Sequence, residues 1–183
     1  MGNHQINRLA FKVAALALLA VMLFAGCSRM PMGVEAENEP AEPQLLMRSS
    51  SSVSGSPLMS SGALYTEAII STDTGGVLTL LDVTLEIPED AVPNDTLFSI
   101  SIPDLNVFYN EFGTDGLVFD NPVEVTMSYR DADLSGIDES SIRIGWLNEV
   151  TGRFQSIDCE IDFDTKTVTG TLDHFSAYGL ISD

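Results

Sequence analysis

The chain reads as all-β: a single antiparallel β-sandwich of about eight to ten short strands over residues 63–183. Three observations lead there. Apolar residues recur with a period of two through most of that stretch. Turn-forming residues interrupt it every few positions. No segment has both the length and the 3.6-residue period of a core helix. Some 120 residues suffice for one domain with a real core.

The strands follow in order. Val83, Leu85 and Ile87 alternate with Thr84 and Glu86, which predicts a strand with one face inward. Phe98, Ile100 and Ile102 alternate with Leu97, Ser99 and Ser101. Val123, Val125, Met127 and Tyr129 alternate with Glu124, Thr126 and Ser128. Ile142, Ile144 and Trp146 share a face, which places Trp146 in the core. Cys159, Ile161 and Phe163 alternate with Glu160 and Asp162, and Thr167–Leu172 is rich in β-formers. Turns are expected at Asp73-Thr74-Gly75-Gly76, Pro93-Asn94-Asp95, Asp120-Asn121-Pro122, Glu149-Val150-Thr151-Gly152 and Asp164-Thr165-Lys166.

Upstream the composition changes twice. Residues 28–62 are rich in Glu, Pro and Ser, including Ser49-Ser50-Ser51-Ser52, and are expected to form a disordered tether. Ahead of Cys27 come Arg8 and Lys12, an apolar run from Val13 to Phe24, then Ala25-Gly26. A charged start, a short apolar middle and small residues at the cut describe a cleaved signal peptide over 1–26. The run is about 12 residues, whereas a spanning helix needs roughly 20. Leu23-Phe24-Ala25-Gly26-Cys27 resembles the lipobox of bacterial lipoproteins, with Phe24 departing from the usual aliphatic residue. The resemblance implies acylation of Cys27, for instance by palmitate. It also implies a protein anchored in the cell envelope by lipid, in the outer membrane if the host has one, Ser28 replacing the Asp common in inner-membrane retention. An ordinary signal peptide with an incidental cysteine is the simpler alternative.

Removal of residues 1–26 leaves six basic side chains against 27 acidic ones, about −21. Such a surface repels phosphate backbones, so no nucleic-acid partner is expected. With Cys27 acylated, Cys159 has no intramolecular partner and reads as a small core residue.

Several segments together resemble a known family. They are Gly75-Gly76-Val77, Ile87-Pro88-Glu89-Asp90-Ala91-Val92-Pro93, Phe119-Asp120-Asn121-Pro122-Val123, Gly152-Arg153-Phe154 and Leu172-Asp173-His174-Phe175-Ser176-Ala177-Tyr178. Their order is similar to that in the ZU-type β-sandwich of zonula occludens proteins, netrin receptors and ankyrins. Asp90 stands where the family commonly has Gly, which implies a slightly altered turn. The resemblance implies a module that binds other proteins, here an envelope or extracellular protein. Some relatives cleave themselves at a His-Phe-Ser sequence. Carried over, Ser176 would attack the Phe175 carbonyl while His174 takes the proton. A capping turn with Phe175 in the core accounts for the same residues.

Three further patterns are weighed against plainer readings. Asp131, Asp133 and Ser135, with Gly136 after them, resemble the start of a Ca²⁺ loop, but Ile142 stands where a bidentate Glu belongs. A solvated turn, with Asp138 capping a short turn through Glu139, explains them too. Asp158, Glu160, Asp162 and Asp164 fall on one side of a strand, either as an ion or basic-partner site or as acids guarding an edge. Phe108, Tyr109 and Phe112 sit in what reads as a loop and form a candidate glycan or peptide platform. Conventional enzyme chemistry lacks its usual motifs: no Gly-x-Ser-x-Gly elbow and no glycine loop before a lysine occur. The expectation is a non-catalytic binding or structural role, with self-cleavage or glycan recognition as alternatives and no cofactor beyond a possible Ca²⁺.

Overall fold

The computed structural model describes residues 42–49 and 63–182. Twelve strands run through them: β1 (Gln44–Leu45), β2 (Leu64–Ile70), β3 (Gly76–Leu80), β4 (Val83–Ile87), β5 (Thr96–Ile102), β6 (Tyr109–Gly113), β7 (Val118–Ser128), β8 (Arg143–Asn148), β9 (Arg153–Ser156), β10 (Cys159–Asp162), β11 (Thr167–His174) and β12 (Ala177–Ser182). One turn of 3-10 helix, Glu139–Ser141, lies between β7 and β8, and the Asp138 carboxylate caps it by accepting from the Ser140 N–H.

Seven strands form one sheet in the order β2-β5-β6-β12-β8-β9, with β1 also paired to β12; five form the other, β10-β11-β7-β4-β3. Every pairing is antiparallel. The two sheets pack face to face. Phe98, Ile100, Ile144, Tyr178 and Leu180 of the first meet Val83, Leu85, Val123, Val125, Met127 and Val168 of the second in one cluster. Those from β4, β5, β7 and β8 are the inward positions that alternation marks, and all eleven are fully buried. Each such side chain contributes about 1.5–3 kcal/mol through the water it sheds.

Asp120-Asn121-Pro122 does not reverse the chain. It lies inside β7, an eleven-residue strand. Pro122 has no N–H to give to a ladder, and the pairing slips there: Leu172 faces Val123, but His174 faces Val118. The segment is a bulge that lets β7 continue. Phe108–Phe112 is also no loop. Tyr109–Gly113 is β6, and it places Phe108 and Phe112 in the core at 1% and 2% exposure.

The folded part also starts earlier than Ala63. Residues 42–49, placed by composition in the tether, form a strap across the sandwich. Gln44 and Leu45 pair with Ser182 and Ile181 on the edge of β12, in line with β6. The Leu46 N–H donates to the Leu180 carbonyl at 2.8 Å, its own carbonyl accepts from the Phe108 N–H at 3.0 Å, and its side chain is buried. Two residues on, the Arg48 guanidinium grips Asp82 with both prongs, at 2.8 and 2.9 Å, and lies 4.0 Å above the Phe108 ring. Both side chains of this pair are nearly buried. Asp82 occupies the tight β3–β4 hairpin, so the strap ties β12 of one sheet to a turn of the other.

Candidate functional site

Most of the segments that carry the family resemblance meet at one end of the sandwich. Gly75 has φ +61°, and a Cβ there would run into the Ile87 carbonyl, so glycine is required for the β2–β3 connection to pass over Pro88. The Asn121 amide donates to the carbonyls of Glu89 and Asp90, each at 3.3 Å, and the Asp120 N–H donates to the Ala91 carbonyl at 2.9 Å. The Thr72 hydroxyl donates to the Val92 carbonyl at 2.6 Å. The bulge of β7 therefore holds the Ile-Pro turn in place. Gly152-Arg153-Phe154 lies apart, at the β8–β9 hairpin.

The His174–Ser176 corner joins the same end. Phe175 is fully buried, with its ring edge-on to Phe98 at 4.9 Å and to Phe119 at 4.8 Å. Its N–H donates to the Leu117 carbonyl at 2.8 Å, and its carbonyl accepts from the Gly116 N–H at 3.1 Å. The Phe112 N–H donates to the Ser176 carbonyl at 3.0 Å, and the Tyr178 hydroxyl donates to the His174 carbonyl at 3.0 Å. The His174 ring stands edge-on against Trp146 at 5.4 Å. Among the described residues no hydrogen bond joins that ring to the Ser176 hydroxyl. Burial and the nearby Asp173 charge push the Tyr178 hydroxyl well above the usual phenol range, which keeps it a donor to this corner. The arrangement is a backbone-bonded cap with one N–H already on the Phe175 carbonyl.

Asp131, Asp133 and Ser135 lie on the connection between β7 and the 3-10 turn. The Asp133 carboxylate accepts from the Ser135 N–H at 3.0 Å, closing its own turn, and this bond together with the Ser135 hydroxyl holds it below the usual carboxylate range. The loop serves the strap instead: the Ser49 N–H donates to the Asp131 carbonyl, and the Asp133 N–H to the Met47 carbonyl. Among the described residues no three His, Cys, Asp or Glu side chains gather as a metal site.

Glu160 and Asp162 lie in β10, an outer strand of the five-stranded sheet, with Asp158 and Asp164 on either side of it, and all four are exposed. Asp162 is turned back to accept from the N–H groups of Asp164 and Thr165, which lowers its carboxyl. Cys159 is half-buried against the core. Of the three aromatics read as a platform, only Tyr109 is partly exposed; it lies edge-on to Phe154 and its hydroxyl reaches Glu111 at 3.4 Å. Trp146 is likewise only partly buried, packed on the outside of the cluster. Cys27 and the residues before it lie outside the described residues.

Two features carry no motif. The first is a polar cluster behind β7, where the Tyr129 hydroxyl and the Lys166 ammonium both donate to one Glu139 oxygen at 2.6 Å. Lys166 and Tyr129 together hold the Glu139 carboxyl below its usual range. The second is a shallow groove of about 400 Å³ on the outer face of the five-stranded sheet, where Glu86 and Glu124 stand directly opposite across β4 and β7. Alternation marked both residues as outward; that they face each other follows from register. No protein-family model and no curated protein matches the chain.

Proposed function

We propose that this chain is a bacterial cell-envelope lipoprotein, held by acyl chains on Cys27, that presents a ZU-like β-sandwich for non-catalytic binding of another protein. The observation that carries the reading is Ala25-Gly26-Cys27 behind a twelve-residue apolar run with basic residues ahead of it. Two or more acyl chains anchor stably without a spanning helix. The strap adds a consequence. Fourteen residues lie between Cys27 and Glu42, the first residue of the strap. A tether running to residue 62 would have more than twice that number. The expected outcome is incorporation of labelled palmitate by the wild type, and its loss together with membrane fractionation in Cys27→Ser. Unchanged fractionation of that variant would sink the placement.

Self-cleavage keeps one favourable observation, the Gly116 N–H on the Phe175 carbonyl, where an oxyanion would need a donor. Its partner geometry is less apt, since His174 packs on Trp146. Intact mass measurement of the purified chain decides between the readings. A single full-length mass is expected, and a nick after Phe175 that Ser176→Ala abolishes would reverse the order.

A further inference from the structure

We infer that the free edge of β2 is a docking site for an extended peptide, taken up as an added strand, whose outward residues read apolar, basic, apolar. The inference rests on the protein-binding role proposed above and names its surface and partner chemistry. The two sheets end in four outer strands: β2, β9, β10 and β3. β9 and β10 have four residues each, β9 beginning at Arg153 and β10 carrying Glu160 and Asp162 between two further acids. Short strands and flanking charge are how sheets discourage added strands. β3 has five residues and begins at a glycine. β2 is the longest of the four and carries a single acid, Glu67. It runs seven residues without Pro, Gly or Lys, and it keeps unbroken register with β5 from Leu64–Ile102 to Ile70–Thr96. Among the described residues no strand pairs with its other side.

The outward side chains of β2 supply a pattern. Tyr65 is 59% exposed and Ile69 73%, and Ile69 stands directly opposite the exposed Leu97 on β5. Glu67 lies between them and accepts from the Tyr65 hydroxyl, which fixes its carboxylate on that face. In an added strand the main chain supplies affinity, and the alternate side chains supply selection. A basic residue opposite Glu67 with apolar residues opposite Tyr65 and Ile69 satisfies all three positions. A second copy fits less well. Two-fold pairing centred on β2 sets Glu67 against Glu67 and brings together two chains that each carry a large excess of acids.

The test uses the full chain in detergent micelles and a fluorescein-labelled nonapeptide with Val, Lys and Val at alternate positions and Thr between them, read by anisotropy. Saturable binding is expected, weakened about fivefold by Glu67→Lys. A Val-Glu-Val peptide should reverse that preference. A peptide of the same charge with Pro at its centre should not bind. Equal binding by the Pro peptide, or indifference to Glu67→Lys, overturns the inference. So does a wild-type dimer that Ile69→Asp dissociates, which would assign the edge to a second copy. An envelope protein captured equally by wild type and Glu67→Lys would leave the protein-binding role standing and remove this surface from it. Capture of nothing by either would remove the role.

Discussion

Asp90 shows how one backbone angle links sequence pattern to local strain. Its φ is +55°, in the left-handed region, where a side chain costs roughly 1–2 kcal/mol unless it bonds locally. The surrounding turn is bonded on both sides: the Asp90 N–H donates to the Thr72 carbonyl at 2.8 Å, and its carbonyl accepts from Asn121. The position therefore cannot relax by changing angle, and a glycine would be at home there. Asp90→Gly should raise stability by about 0.5 kcal/mol and Asp90→Val should lower it by about 1–2 kcal/mol, since a β-branched residue tolerates the angle least. Urea midpoints measure both. A glycine variant less stable than the wild type would show that the Asp side chain contributes more than the angle costs.

The strap is the element whose energetics matter most. Leu46 fills the core, and Arg48 places a charge where little water reaches it. Breaking such a pair leaves a buried charge behind, so Arg48→Met should destabilise by about 3–5 kcal/mol. Part of that cost arises from Asp82 rather than from lost attraction. Adding Asp82→Leu to Arg48→Met should therefore restore most of the stability, in thermal melts of the two single variants and the double. Additive losses would show that the two side chains stabilise the strap independently rather than through each other. The same element explains a limit of reading by composition. Leu45-Leu46-Met47 is a short apolar run amid Glu, Pro and Ser, too short to display a period. Its partner Asp82 is thirty-four residues away, and nothing local marks the two as neighbours.

Charge acts on the molecule as a unit. Acids outnumber bases by more than three to one, so at neutral pH the folded state works against its own repulsion. Salt screens exposed charges over about 10 Å at 0.1 M, so adding salt at pH 7 should raise the melting temperature. Acid brings two opposed effects. Protonation relieves repulsion as pH falls toward the carboxylate range. Against this, Asp133, Asp138, Glu139 and Asp162 all titrate below their usual values because hydrogen bonds, and for Glu139 the Lys166 ammonium, favour their charged forms. Groups depressed in the folded state stabilise it above their unfolded pKa and lose that contribution as pH falls through the folded value. Melting temperature should therefore peak near pH ~5 and drop below pH ~4. A curve still rising at pH ~3 would mean that these bonds contribute little.

Sheet periodicity was legible because it is local. A residue two positions along a strand returns to the same face whatever the strand pairs with, so Val83–Ile87, Phe98–Ile102 and Val123–Met127 declare their inward sides in the chain itself. The cap at Asp138 was legible for the same reason, since its partner Ser140 is two residues away. Pairing across distance was not. Whether Phe108 and Phe112 line a loop or the core depends on β6 finding β5 and β12. Whether Pro122 turns the chain or bulges it depends on β11 beside it. Residues 42–49 became part of the domain because β12 had edge left beyond β6 and Asp82 waited on the opposite sheet. Long-range hydrogen bonds and one nearly buried ion pair settled these points, and neither leaves a period in the sequence.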